Sequence, residues 1–310
     1  MYKNFFGLKE HPFNANPDPR YLFLTREIQE ALAGLAYGIK NRKGFILLTG
    51  EVGTGKTTLL NRLLDWLHME GVATAYIFNS RVDVGQLFDL MMADFGIPCE
   101  RRDKSYVLMR LNQWLLQRYR DRKTSVLIVD EAQNLSLEVL EEIRLLTNFE
   151  TANEKLLQIV LAGQPELDEK LRDPRLRQLR QRITMRCRTQ PLSMQELSGY
   201  IAERLRIGGA NGTPIFSPEA IESIYKYSRG IPRVANLLCE HSLIGAFVDQ
   251  VRPVQARLVE DAAREFELDQ LDPMARPVTR NNVDETSPME GLLRNLNQLL
   301  QDMSRANSAR

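Results

Sequence analysis

The sequence contains few of the residues that form disulfides or bind transition metals. Its 310 residues include three cysteines, which are far apart and outside any C-x-x-C spacing: Cys99, Cys187 and Cys239. This argues against a disulfide framework or a zinc site, and it predicts a reducing compartment with buried or inert thiols. The three histidines share no spacing with one another or with carboxylates, and we interpret each as structural: His11, His68 and His241.

Long apolar runs and an excess of charge of one sign are also missing. The chain has 41 basic and 40 acidic side chains, a formal net charge of +1, so any site for a polyanion must be local. No run reaches the roughly 18 apolar residues of a membrane span, and the N-terminus offers only residues 5–8 as an apolar patch. We therefore expect neither a secretory signal nor a membrane span, and we expect a cytoplasmic location.

A glycine-rich octapeptide, residues 50–57, follows an apolar run and precedes an amphipathic one. The pattern predicts a buried strand that turns into a helix through a phosphate-binding loop, in which backbone N–H groups point inward. Lys56 would reach the terminal phosphates, and Thr57 would offer its hydroxyl to Mg²⁺. We predict ATP and Mg²⁺ as ligands, bound by Gly50, Glu51, Val52, Gly53, Thr54, Gly55, Lys56, Thr57 and Thr58.

Adenine is the expected base, because neither Asn-Lys-x-Asp nor Thr-Lys-x-Asp, which would favour guanine, occurs in the sequence. Several apolar and aromatic residues are candidates for contacting adenine, and each is equally compatible with a place in the core. They are Tyr21, Leu22 and Phe23 before the first long helical pattern, and Ile231 and Pro232 in the C-terminal half.

Apolar runs alternate with helical patterns between residues 41 and 190. The runs at 45–48, 72–78, 125–130 and 156–162 are mostly continuous rather than alternating, which indicates strands covered on both faces. This predicts an α/β fold, a doubly wound parallel sheet whose ligand lies at the carboxyl ends of the strands.

The strand signal ends at residue 193, and four helical patterns follow at 193–207, 217–228, 232–249 and 254–267. We divide the chain into an irregular N-terminal arm with a lead-in helix (1–40), a nucleotide-binding α/β domain (41–190) and a helical domain (191–268). A flexible linker (269–288) and an amphipathic helix (289–310) complete it. The leucines of that last helix either fold back on the protein or dock on a partner.

Two adjacent carboxylates, Asp130 and Glu131, close the third apolar run. The parallel sheet brings them to the same edge as the phosphate loop. Asp130 would bind Mg²⁺, directly or through water, and Glu131 would polarise the attacking water. Gln164, at the end of the fourth run, is placed to orient that water or to contact the γ-phosphate; an ordinary loop glutamine is the alternative.

Seven arginines lie between residues 172 and 188, with Asp173 as the only acid in their midst: Arg172, Arg175, Arg177, Arg180, Arg182, Arg186 and Arg188. A solvated basic face accounts for most of them. One or two would act as arginine fingers in a neighbour's nucleotide site, or a stripe of them would contact a nucleic-acid backbone. Arg233, after Gly230 and Pro232, begins a helix from which it would reach the γ-phosphate and couple nucleotide state to the helical domain.

Taken in order, residues 50–57, 126–131, Gln164, 177–182 and 230–233 resemble the Walker A, Walker B, sensor 1, arginine-finger and sensor 2 elements of AAA+ ATPases. Within that superfamily the chain looks most like the ExeA-like, or general secretion pathway protein A, group. The matching segments are YKNFFGL (2–8) with Pro12 and Phe13, LLTGEVGTGKT (47–57), DEAQN (130–134) and LAGQPEL (161–167).

The resemblance implies a P-loop NTPase of AAA+ type with a C-terminal helical lid, assembled into a ring or filament with ATP between protomers. Arg182 best matches the finger position, with Arg180 and Arg177 as substitutes. The catalytic residues that we expect are Glu131, Lys56, Gln164, Arg182, Arg180 and Arg233, and the Mg²⁺ ligands are Thr57 and Asp130. Members of the group can continue into a membrane span and a peptidoglycan-binding module, which are not expected here.

Three functions are compatible with these features. The first is an ATP-hydrolysing assembly or remodelling factor for envelope secretion or polysaccharide export, with a membrane-bound partner for the C-terminal helix and a peripheral position at the inner membrane. The second is a DNA-binding ATPase regulator of the transposition-helper type, although nucleic acid is not favoured as a partner. The third is a nucleotide switch without hydrolysis.

Overall fold

The structure is a computed structural model that describes residues 1–268 except 15, 17, 79, 80 and 102. The chain divides into two compact units, and each is described by itself. One unit holds residues 26–51 and 56–189, and the other holds residues 1–25, 52–55 and 190–268. The linker and the amphipathic helix predicted at 269–288 and 289–310 lie outside the described residues.

The first unit is built on a five-stranded parallel sheet with the strand order β2-β3-β4-β1-β5. Its strands are β1 (Phe45–Thr49), β2 (Ala73–Ile77), β3 (Ser125–Val129), β4 (Leu157–Gly163) and β5 (Ile183–Arg188). Every residue of β1, β3 and β4 is buried, as their continuous apolar sequences predict. The predicted doubly wound parallel sheet is confirmed.

Helices cover both faces of this sheet. They are α2 (Arg26–Lys40), α3 (Lys56–Met69), α4 (Val84–Asp94), α5 (Lys104–Arg120), α6 (Leu137–Leu146), α7 (Pro165–Lys170) and α8 (Arg177–Arg182). Phe45 and Leu47 point into a core shared with α4, α5 and α6. Ile46 points the other way, where a Cβ at Gly38 of α2 would come within 2.6 Å of its Cδ1 atom.

The second unit contains α1 (Tyr2–Phe6), α9 (Met194–Ile207), α10 (Pro218–Ser228), α11 (Pro232–Val248) and α12 (Ala256–Glu265). The arm expected to be irregular therefore contains a short helix, and it packs within the helical unit. Buried Arg204 of α9 fixes the arm: its Nε donates to Pro12 O (2.5 Å), and its guanidinium lies 4.4 Å from the Tyr21 ring centroid.

Side-chain caps define the starts of the lid helices. Ser193 and Glu196 form a reciprocal capping box at α9, and Ser217 accepts from the Ala220 N–H at α10. In the part of the chain that the structure describes, no helix is both long and apolar enough to cross a membrane. Cys187 and Cys239 are buried and Cys99 is exposed, and all three are free thiols.

Candidate active site

The glycine-rich loop links β1 to α3 at the carboxyl edge of the sheet. Gly53 and Gly55 have φ angles of 79° and 93°, a region that side chains with a Cβ avoid. A Cβ at Gly55 would meet nothing within 4 Å, so the loop leaves open space there for a ligand. The Gly50 N–H donates to Gly163 O (3.2 Å) and ties the loop to the end of β4.

Lys56 is the first residue of α3, and its side chain is only 6% exposed. Its ammonium donates to the carbonyl oxygens of Gly50 (2.7 Å) and Glu51 (3.0 Å). Burial lowers the pKa of Lys56, and the nearby carboxylates of Glu131 and Asp130 oppose that shift. The ammonium is thus held at the loop by weak neutral acceptors, which phosphate oxygens would replace with charged ones.

Asp130 follows β3 and is 3% exposed. Its Oδ2 accepts hydrogen bonds from the hydroxyls of Thr57 (3.2 Å) and Tyr76 (3.2 Å), and its Oδ1 accepts from the Glu131 N–H (2.8 Å). Burial raises the pKa of Asp130, and the Glu131 N–H works against that rise. The predicted pair, Thr57 and Asp130, therefore meets at one point beside the phosphate loop.

Glu131 has a left-handed backbone (φ 51°), which turns the chain sharply after the strand. Its Oε2 accepts from the amide groups of Gln133 (2.5 Å) and Gln164 (3.1 Å). The Gln133 Oε1 in turn accepts from the Gln164 N–H (3.1 Å). The structure thus brings the predicted residues Glu131 and Gln164 into direct contact.

Two polar residues of this site were missed in the sequence analysis, Tyr76 and Gln133. Tyr76 is the one hydroxyl-bearing aromatic of the strand at 72–78, and Gln133 stands two residues after Glu131. A Cβ at Gly163 would lie 2.8 Å from the Gln133 Oε1, so the amide needs a glycine at the end of β4. The sequence did contain a signal for each residue. Tyr76 is a polar group in a mostly apolar strand, and Gln133 is an amide close to the carboxylate pair.

Arg233 and the tip of the phosphate loop, residues 52–55, belong to the helical unit. The Arg233 N–H donates to Gly53 O (3.2 Å), and a Cβ at Gly53 would lie 2.7 Å from the Arg233 Cβ and 3.1 Å from Ile231 Cγ2. The Arg233 side chain is exposed. Of the adenine candidates, Ile231 adjoins the loop, whereas Tyr21 is buried and donates its hydroxyl to Glu10 (3.0 Å).

The arginine cluster is divided between the two edges of the sheet. Arg182 precedes β5 at the amino edge, where its Nη2 contacts the Asn148 Oδ1 (3.4 Å), and Arg180 is exposed beside it. Arg186, near the carboxyl edge, pairs with Asp168 (2.6 Å). The length of β5 separates Arg182 from the phosphate-loop edge by about 15 Å. A role for Arg182 at a nucleotide therefore requires the nucleotide of a second copy.

The residues present fit a magnesium nucleotide. Oxygen ligands suit Mg²⁺, and Thr57 and Asp130 provide a hydroxyl and a carboxylate beside a loop with open space. Phosphates would find the Lys56 ammonium and the N-terminal N–H groups of α3. Thr58 continues α3, and Glu51 and Val52 are exposed on the loop.

Comparison with known proteins identifies the family. A family model described as an AAA domain matches residues 39–171. Over 248 residues, 80% of this chain, the sequence is 47% identical to the General secretion pathway protein A of Aeromonas hydrophila. The chain belongs to the AAA+ ATPases, in the ExeA-like (general secretion pathway protein A) group. This AAA+ chain spans only 45% of the length of that relative.

Solved structures share the AAA+ fold at low sequence identity. The ORC2 protein of Aeropyrum pernix, in ADPNP–ADP complexes, has a TM-score of 0.61 at 20% identity, covering 86% of this chain and 75% of that one. Drosophila ORC bound to DNA gives 0.58 at 18% identity, with 84% and 67% covered. The RuvB branch migration motor of Thermotoga maritima gives 0.52 at 18%, with 78% and 70% covered. These likenesses confirm the fold.

Proposed function

We propose that this AAA+ protein hydrolyses ATP with Mg²⁺, and that it works as an oligomeric assembly or remodelling factor for an envelope secretion or polysaccharide export system. The observation that carries the ATPase proposal is the cluster beside the phosphate loop. There, Thr57 contacts Asp130 (3.2 Å), and Gln164 contacts Glu131 (3.1 Å). The residues that we propose as metal ligands, base and water-orienting amide therefore lie at one edge of the sheet.

Hydrolysis needs a water aligned with the γ-phosphorus and a group that accepts its proton. Glu131 serves as that group: the water oxygen forms a bond to the γ-phosphorus, the bond to the ADP oxygen breaks, and the water proton passes to the carboxylate. Gln133 and Gln164 hold this carboxylate through their amide N–H groups. Because amides donate without titrating, they orient the Glu131 carboxylate and do not compete with it for the proton of the water.

Residues of the phosphate loop and its surroundings would neutralise the negative charge of the phosphates. Lys56 exchanges the Gly50 and Glu51 carbonyl oxygens for phosphate oxygens. Bound Mg²⁺ would neutralise β- and γ-phosphate charge, with Thr57 and Asp130 as its protein ligands. The N–H of Arg233 donates to Gly53 O. We propose that its guanidinium would interact with the γ-phosphate and so couple nucleotide state to the helical unit.

Two substitutions test the ATPase proposal. Lys56→Ala removes the ammonium and should abolish ATP binding, whereas Glu131→Gln should keep ATP affinity within about twofold and lower phosphate release by at least about 100-fold. The matched controls are Lys123→Ala and Glu138→Gln, which change exposed residues away from the loop. ATP binding by equilibrium titration and phosphate release are the measurements.

The outcomes separate the alternatives. Wild-type protein that binds ATP without turnover, at high protein concentration, would leave a nucleotide switch without hydrolysis as the function. Protein that binds no ATP would overturn both. Turnover that survives Glu131→Gln would show that another group accepts the proton.

The proposed biological role rests on the 47% identity to the Aeromonas hydrophila protein, whose name refers to general secretion. We propose a cytoplasmic location, peripheral at the inner membrane, and self-assembly with ATP at the protomer interface. A membrane-bound secretion or export component is the proposed partner. Co-purification of a membrane component of such a system with the wild-type protein, and its loss with Lys56→Ala, tests this role.

A DNA-binding regulator is the second candidate, and the exposed Arg177 and Arg180 favour it. Such a surface would bind duplex DNA in an ATP-dependent manner with strong salt dependence. Fluorescence polarisation with labelled duplex at several salt concentrations decides it. An active ATPase without salt-sensitive duplex binding dismisses this candidate.

A further inference from the structure

A tyrosine hydroxyl lies inside the proposed metal site. Tyr76 belongs to β2, between buried Ala75 and Ile77, and its hydroxyl donates to the Asp130 Oδ2 (3.2 Å). The Thr57 hydroxyl donates to that same oxygen (3.2 Å). Asp130 Oδ1 is taken by the Glu131 N–H (2.8 Å). Three donors from separate parts of the chain, Tyr76, Thr57 and the Glu131 N–H, therefore fix the orientation of the Asp130 carboxylate.

Contacts on both sides of β2 hold the backbone of Tyr76 in place. Its N–H donates to the Asp94 Oδ2 at the end of α4 (2.7 Å). Tyr76 pairs with Ile128 in the parallel register of β2 and β3, and the Asp130 N–H donates to Ile77 O (2.9 Å). The strand pairing thus holds the tyrosine ring and the carboxylate at a constant separation.

We propose that Tyr76 is a positioning residue for the metal-binding carboxylate, so that it sets how readily the site takes up Mg²⁺ together with the nucleotide. This inference rests on the proposed function, because it concerns the same site. Ligating carboxylates depend on hydrogen bonds from neighbouring groups to keep their orientation, and loss of such a partner typically weakens metal binding by about 10- to 100-fold. Tyr76 acts through Asp130 and is not assigned contact with the reacting atoms.

Thr57 does not replace Tyr76 in this role. As a metal ligand, the Thr57 oxygen would approach the cation, and its geometry would then follow the metal. Tyr76 lies within a strand, and we do not propose it as a metal ligand. In the nucleotide-bound protein, Tyr76 would therefore supply a side-chain donor to Oδ2 whose position does not depend on the ligand.

The test is Tyr76→Phe, which removes one oxygen atom and keeps the ring. Tyr119→Phe is the matched control, because Tyr119 lies in the same unit at the opposite end of α5 from the site and is partly buried in the same way. A non-hydrolysable ATP analogue is titrated by calorimetry in EDTA and across a series of Mg²⁺ concentrations. Thermal denaturation of the ligand-free protein is followed in parallel.

For Tyr76→Phe we expect analogue affinity in EDTA within twofold of wild type and a half-saturating Mg²⁺ concentration raised by about tenfold. The control should change neither. A Tyr76→Phe variant with lowered thermal stability but an unchanged Mg²⁺ requirement would overturn the proposal and leave Tyr76 as a structural residue. Wild-type protein that binds no analogue at any Mg²⁺ concentration would instead sink the proposed function itself.

Discussion

Gln133 makes more contacts than its place in the sequence indicates. Its Nε2 donates to Glu131 (2.5 Å), its Oε1 accepts from the Gln164 N–H (3.1 Å), and its backbone oxygen accepts from the Lys170 ammonium (2.5 Å). Burial lowers the pKa of Lys170. The amide group cannot turn without breaking two hydrogen bonds, so it clamps the carboxylate that we propose as the base.

We predict that Gln133→Leu lowers the turnover number for ATP by about tenfold or more, because the Glu131 carboxylate loses an amide donor and its alignment with the attacking water. ATP affinity should stay within about twofold, since the hydrogen bonds of Gln133 are made with Glu131, Gln164 and Lys170. Steady-state phosphate release and equilibrium titration measure the two quantities.

Gln117→Leu is the control for this variant, because Gln117 is an exposed α5 residue whose amide donates to Asp121. A Gln133→Leu protein with normal turnover would show that Gln133 does not position the base. Equal losses of affinity and turnover would instead indicate a disturbed loop.

Some residues of the site were predictable and others were not, for a physical reason. Asp130 and Glu131 directly follow buried β3, and Lys56 ends the loop that follows buried β1, so chain order alone brings them to the same edge of the sheet. Tyr76 and Gln133 reach the carboxylates because of strand register and a left-handed turn at Glu131. Neither the register nor that backbone conformation follows from residue type.

At the scale of elements, the same distinction separates β5 from the other strands. The sequence pattern indicates β1, β3 and β4 because they are mostly apolar and buried on both faces. β5 alternates polar and apolar residues, carries Arg186 and Arg188, and pairs only with β1 at the edge. The sequence pattern did not predict this strand. The short helix α1 was missed because five residues carry too little periodicity.

Gly230, between two helices of the helical unit, leaves no room for a larger side chain. Its φ angle is 77°, and a Cβ there would lie 1.9 Å from Leu192 O. The Leu192 N–H also donates to Gly230 O (2.8 Å), so the two backbones are bound together just before α9 and α11 begin. Only glycine allows this approach of two chain segments within the helical unit.

We predict that Gly230→Ala destabilises the helical unit by about 3 kcal/mol or more, since the left-handed backbone and the steric clash both act against alanine. Gly212→Ala is the matched control: Gly212 has a φ of 90° in the same unit, but a Cβ there meets nothing within 4 Å. Its loss should be about 1 kcal/mol.

Far-UV circular dichroism in denaturant is the measurement. The two tryptophans, Trp66 and Trp114, both lie in the α/β unit, so their fluorescence does not report on the helical unit directly. Equal losses of stability for the two alanine variants would show that backbone conformation, rather than the contact with Leu192, dominates.

At the scale of the whole molecule, the residues that we propose for catalysis lie at two opposite edges of the parallel sheet. The phosphate loop, Asp130, Glu131 and Gln164 follow the carboxyl ends of their strands, whereas Arg182 precedes the amino end of β5. A single copy cannot bring Arg182 to its own nucleotide across a distance of about 15 Å without breaking the sheet. If Arg182 is a finger, then the working ATPase must contain at least two copies.

We predict that Arg182→Ala leaves ATP affinity unchanged and lowers turnover by up to about 10³-fold in the assembled protein. Mixing it with Glu131→Gln subunits should restore activity, because the second subunit supplies Arg182 to an active site whose Glu131 is intact. Random equimolar mixing completes about a quarter of the interfaces, so recovery near that fraction of wild-type phosphate release is expected. Arg175→Ala, whose guanidinium is paired with Asp173 (2.7 Å), should behave as wild type. Subunits that carry both Glu131→Gln and Arg182→Ala should restore no activity to the Arg182→Ala protein. An arginine finger that acts between subunits would be contradicted if these double-variant subunits restored activity. It would also be contradicted if Glu131→Gln subunits restored none at any mixing ratio.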